Sequence, residues 1–250
     1  MEPGKIGSLA WLEETNGKLT LRSRLALLSR ILAPSMAGLF KTFFRWGRNE
    51  HLRLEDIPMP DSAAVKRALE EIESCAIDSV VQHSFRTYLW GAGLGQIEKL
   101  GYDPEFLLLG CLLHDLGMTE RHRRDACHCF AGDSAIAAAA TMREVGWGEE
   151  QTSALANIIC LHMNGHIGLA DGHEAHLLQQ GAACDIVGSR YYDFHRDYRQ
   201  AVLQKHPRDD LNKVFEAYMA NERMMRPASR AALMYRMGLP LMIRVNPYTE

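Results

Sequence analysis

Apolar residues recur along this chain at steps of three and four, and alternating β-branched stretches of strand length are absent. That period turns one helix face toward a core, so the chain is expected to be nearly all helix. From Leu21 the apolar positions run Leu21, Leu25, Leu28 and Leu32, then Leu39, Phe43 and Trp46. Pro34 interrupts this stripe and is expected to open a second helix at its first turn. A loop with Pro58 and Pro60 ends at Asp61, an expected N-cap for a helix to about Cys75. Asp78 is expected to cap a long helix over 79–100, closed by Gly101. Asp103–Pro104 opens the next helix, which should stop near Gly117. Residues 118–132, rich in Arg, His and Cys, read as a loop. Helices are predicted at about 133–145 and 149–163, then from Glu174 to about Tyr191 after a Gly- and His-rich loop over 164–173. About two or three more fit the remainder, punctuated by Pro207, Pro227 and Pro240.

One place breaks the pattern. The apolar run Phe106–Leu113 ends on His114–Asp115, two polar side chains where a buried helix should stop. Imidazole and carboxylate are costly there unless something pairs with them, and a metal ion pairs with both. His83, within Val80–Tyr88, and Asp185, within Gly181–Gly188, are likewise polar residues inside apolar helical segments. The resulting set of two His and two Asp suits Zn, Fe or Mn better than Ca or a thiolate site. Gly181 and Ala182 precede Asp185 on its helix face, where small side chains let neighbouring helices approach closely.

The order His83, His114–Asp115, Asp185 resembles the H…HD…D signature of the HD-domain superfamily of metal-dependent hydrolases, over roughly residues 60–195. The strings His83-Ser-Phe-Arg-Thr-Tyr88, Leu112-Leu-His-Asp-Leu-Gly117 and Glu174-Ala-His-Leu-Leu-Gln-Gln-Gly181 are similar to the cyanamide-hydratase-like branch. The resemblance implies an all-α helical bundle around a buried metal, with His83, His114, Asp115 and Asp185 as ligands. Two-metal members add two further histidines. His162 stands where one is expected, but the segment Phe130–Ala135 offers only Asp133. A single divalent ion, Zn or Fe before Mn, is therefore expected. Asp133 is then a base, a water-orienting group or a helix N-cap, and His162 a second proton-transfer candidate or a hydrogen-bonded helix-end residue. Arg86 and Thr87 share the helix face of His83, and Asn164 follows His162, so these three are the substrate-binding candidates. For Arg86 a plain carboxylate partner is the alternative. Cys127-His-Cys129 lacks the spacing and the second pair of a zinc-thiolate site.

Composition changes this picture little. Hydrophobic residues make up 47% and charged residues 24% of the 250, which suits a globular chain. The net charge of -3 does not point to a nucleic-acid partner. The six cysteines mostly lie in apolar segments, as reduced thiols do. No apolar run spans a bilayer and no signal peptide is visible, so a cytoplasmic location is expected. Residues 17–48 stand out, with Lys18, Arg22, Arg24, Arg30, Lys41, Arg45 and Arg48 and no acidic residue. With the apolar stripe they read as a helical lid on the core, a homodimerisation arm or a membrane-surface helix. Three parts are expected: a basic helical extension over 1–58, a core over 59–205, and C-terminal helices over 206–250. The expected activity is hydration or hydrolysis of a small molecule, cyanamide- or nitrile-like, by metal-activated water. Phosphoester hydrolysis, with positive charge from Arg86 or the His122–Arg124 segment, is the alternative. A non-catalytic metal-binding module is the third reading.

Overall fold

The computed structural model describes residues 4–124 and 129–248, with the side chains of 32–39 and 41–43 left aside. Helices form the whole of the regular structure there. No strand occurs among the described residues, only an isolated parallel bridge between Glu50 and Phe194.

The centre is a crossing of two helices, α4 (Asp78–Glu98) and α8 (His173–Val187), numbered in chain order. Their backbones nearly touch. A Cβ on Gly181 would stand 2.2 Å from the Thr87 carbonyl oxygen, and one on Gly91 2.7 Å from that of Leu177. Against this pair lies α5 (Pro104–Leu113), buried on every side from Leu107 to Leu113. A helix without a polar face belongs inside a core. Asp103 starts it, accepting from the amides of Glu105 and Phe106, with Pro104 in the first turn. The helices α6 (Phe130–Glu144) and α7 (Glu149–Leu161) form a hairpin turning at Gly146, whose φ of 86° favours glycine. Around this core lie α3 (Ala63–Cys75), α9 (Arg196–Lys205), α10 (Leu211–Met225), α11 (Arg230–Arg236) and α12 (Leu239–Arg244). At the other end α1 (Leu9–Thr15) and α2 (Leu21–Phe43) pack Trp11, Leu27 and Ile31 against Leu233.

Several expected boundaries move. One helix, α2, runs through Pro34, because the ring removes a single N–H and the turns on either side carry the backbone across. Ser62, not Asp61, caps α3, accepting from the Val65 amide. Asp78 lies in the first turn of α4 rather than capping it, and Lys99 ends that helix in the left-handed conformation before Gly101 is reached. The expected loop to residue 132 is helical from Phe130, and α8 stops at Gly188, short of Tyr191. The short α1 gives no long periodic signal and is absent from the expectation. Four helices follow residue 195, where about two or three were expected. Cys75, Cys111 and Cys184 are free thiols. No helix among the described residues is long and apolar enough to cross a membrane.

Candidate metal centre

His83 projects from the middle of α4 and is fully buried. Its Nδ1 lies 2.7 Å from Asp185 Oδ2 on α8. The same carboxylate accepts from Arg86 Nε at 2.8 Å and Nη2 at 3.0 Å, from Trp90 Nε1 at 3.1 Å and from Arg208 Nη1 at 3.1 Å. His83, Arg86 and Trp90 stand at i, i+3 and i+7, so one face of α4 is devoted to Asp185. Burial works against the charge on Asp185, but Arg86 and Arg208 outweigh it and hold the carboxyl well below the usual carboxylate range. An ionised Asp185 accepts the Nδ1 proton of His83 and leaves its Nε2 lone pair free.

His114 and His162 use a second device. Each follows the last turn of a helix and turns Nδ1 to the carbonyl three residues back: Cys111 at 2.7 Å and Ile159 at 2.6 Å. Those carbonyls are helix-end acceptors without an intrahelical partner. The Nε2 atoms of both rings are thereby aimed forward, as that of His83 is.

All three converge on Asp115. Its Oδ2 lies 3.5 Å from His83 Nε2 and 3.2 Å from His114 Nε2, and its Oδ1 lies 3.9 Å from His162 Nε2. Asp115 is 1% exposed, and Oδ2 has no hydrogen-bond partner. Its neighbour Gly117 admits α6: a Cβ there would stand 2.1 Å from the Phe130 carbonyl, and the Gly117 amide donates to Ser134 Oγ at 2.8 Å. Burial drives His83 below the ordinary imidazole value, and burial with the neighbouring His114 drives His162 to about 3. Burial opposes a charge on His114 too, but the adjacent Asp115 overrides it and raises the value. Two neutral imidazoles and a third drawing a proton toward a buried carboxylate form a site that calls for positive charge.

A divalent ion fits that demand. Ligand atoms each about 2.1 Å from one ion stand roughly 3 to 3.5 Å apart, which the His83, His114 and Asp115 atoms match. Those three also form a compact ligand group, with all their ligand atoms within 4.8 Å of one another. His162 sits slightly farther out on the same side. Asp185 is not in that group: its oxygens are committed to Arg86, Arg208, Trp90 and His83.

The centre opens into a cavity of about 360 Å³. His83, His114, Asp115 and His162 form its polar floor, and Met163, Met219, Met234, Met237 and Met242 are among its walls. Among the described residues, no Lys or Arg lines it. Phe215 of α10 sets its edge on His83 at 5.5 Å between ring centres.

The remaining sequence candidates lie elsewhere. Arg86 takes its carboxylate-pairing alternative, and its Nη1 donates to the carbonyls of His206, at 3.1 Å, and Pro207. Thr87 Oγ1 is buried 3.5 Å from His83 Nε2 but is not on the cavity wall. Asn164 holds the N-terminal segment, donating to the Ile6 carbonyl at 2.6 Å and accepting from Arg230 at 2.8 Å. Asp133 does not cap α6, since Cys129 occupies the N-cap position. Its Oδ2 accepts from Arg226 at 2.6 Å and from the Arg124 amide at 3.2 Å, off the cavity wall. His122 and Arg121 pair with Glu71 instead of facing the cavity. Cys127 and His128 lie outside the described residues. Trp90 and Arg208 were missed. The i+7 step from His83 marks Trp90, whereas Arg208 follows Pro207 in a polar stretch and carries no signal.

A protein-family model described as HD domain matches residues 80–224, more than half of the chain and the span from His83 through α10. No curated protein matches it.

Proposed function

The chain belongs to the HD-domain family, whose members are mostly metal-dependent hydrolases, and we propose that this one acts on a small, uncharged, nitrile- or cyanamide-like molecule. One observation carries the choice: a cavity of about 360 Å³ with a polar floor of three His and an Asp, and no cation on its walls among the described residues. A phosphoester brings negative charge that wants Arg or Lys beside the reacting phosphorus. Of the groups expected to supply it, Arg86 is held by Asp185 and His122 by Glu71.

His83, His114, Asp115 and His162 would hold the ion, with Asp185 and the Cys111 and Ile159 carbonyls orienting the rings. The chemistry such an ion would supply is acidification of water toward a pKa of ~7. The nitrogen and oxygen donors suit Zn or Fe, then Mn. His162 serves this reading better as a ligand than as an acid, because burial leaves it neutral at neutral pH. The attachment of Asp133 to Arg226 supports one ion rather than two. The walls exclude water and orient an apolar substrate body, leaving its reactive carbon at the floor.

The test is an assay of the full chain loaded in turn with Zn, Fe and Mn. It follows urea from cyanamide, amide from short alkyl nitriles, and phosphate from p-nitrophenyl phosphate. Turnover of a neutral substrate that is lost in His114→Ala is expected. Phosphate release without nitrile or cyanamide turnover, or turnover that survives Asp115→Ala, would overturn the reading.

A further inference from the structure

The apolar stripe of α2 is divided among its described side chains. Leu28 packs, partly buried, against the cluster of Leu27, Ile31, Trp11, Leu19 and Leu233. Leu21 and Leu25 of the stripe are 74% and 60% exposed. Past the middle of the helix, Phe40 and Trp46 are 53% and 65% exposed, with Phe40 against Phe44 at 4.4 Å between ring centres. These side chains do not stand on a loose arm. Beyond α2 the backbone passes so near Tyr192 that a Cβ on Gly47 would meet its carbonyl carbon at 2.1 Å. The Arg48 amide donates to Asp193 Oδ1 at 3.0 Å, and the Arg48 guanidinium to the Ile97 carbonyl at 2.8 Å.

We propose that α2 and the turn after it dock the molecule onto an anionic lipid surface. Charge complementarity selects the occupant. Residues 17–48 carry seven basic side chains and no acidic one, in a chain whose net charge is -3. Exposed Leu, Phe and Trp interleaved with Arg are the makeup of a helix lying in a bilayer interface, its apolar face in the acyl boundary and its cations among the phosphates. A second copy fits worse. A two-fold contact brings the same patch of both copies together, which here opposes two identical basic segments.

The cavity lends a second, independent reason. Ile31 of α2 lines it together with Leu239, Leu241 and Met242 of α12, and Leu241 is 65% exposed. The apolar wall therefore runs out to the surface beside the basic helix. None of this depends on the reaction proposed above.

The test sediments the full chain with vesicles of phosphatidylcholine alone and of phosphatidylcholine mixed equally with phosphatidylglycerol. Light scattering reports the oligomeric state in parallel. Binding to the mixed vesicles only is expected, weakened at least about tenfold by high salt, by Leu25→Glu with Trp46→Glu, and by Arg22→Gln with Arg30→Gln and Arg45→Gln. Circular dichroism confirms that the variants fold. Absence of binding to mixed vesicles, or binding that these substitutions leave unchanged, overturns the proposal. A dimer that Leu25→Glu disperses, with no vesicle binding, reassigns the face to a second copy.

Discussion

Asp185 has no exposed surface and is nonetheless ionised, and its partners explain how. Removing one member of a buried ion pair strands the others, a loss of about 3–5 kcal/mol. Asp185→Ala leaves both Arg86 and Arg208 without their counter-charge and frees His83 to rotate. Urea unfolding should show a loss in that range, and the metal affinity of any folded fraction should fall about 10- to 100-fold. Unchanged stability would mean that the two arginines find other partners. The sequence places Arg86 and Trp90 beside His83 because helical spacing is periodic. It does not say which way a shared face looks. That is why Arg86 reads equally as a substrate group and as a carboxylate partner until α8 is set against α4. His114 and His162 were legible as polar ends of apolar helices. Their common backbone device follows from unpaired helix-end carbonyls and becomes visible only in three dimensions.

At the scale of elements, the site depends on how closely α4 and α8 approach. Gly181→Ala drives a methyl group into the Thr87 carbonyl, a backbone atom that cannot yield without moving the helix carrying His83. The expected loss is about 3 kcal/mol or more, at the upper end of overpacking costs. Gly101→Ala, where an added Cβ meets nothing within 4 Å, is the control and should melt close to the parent chain. Equal melting temperatures for the two variants would contradict the close crossing. The expectation that small residues before Asp185 admit a neighbouring helix follows from side-chain size alone, and Gly181 meets it. Boundaries were harder to read. Pro34 stops nothing because one missing N–H is a local loss, and α8 ends early because Gly188 takes a left-handed φ of 69°.

Across the whole molecule, the helical class and the polar floor were legible, and the chamber above them was not. Its walls come from α2, α6, the turn after α7, α8 and α10 through α12, so residues far apart in the chain meet only after folding. The methionines among them look, in sequence, like ordinary core. That no described residue sets a cation on those walls is a property of the assembled surface, and the proposed preference for neutral substrates rests on it. The outward exposure of Leu21, Leu25 and Phe40 on α2 likewise needed the structure, since a periodic pattern marks a face without naming what covers it.

The central claim is a single buried ion held by His83, His114, Asp115 and His162. Elemental analysis of the metal-loaded, desalted chain tests it most directly. About one equivalent of a transition metal is expected, falling to near background in His114→Ala and Asp115→Ala and sharply reduced in His162→Ala, with each variant shown to be helical. No bound metal in the parent chain, about two equivalents, or a full equivalent retained without Asp115 would contradict it.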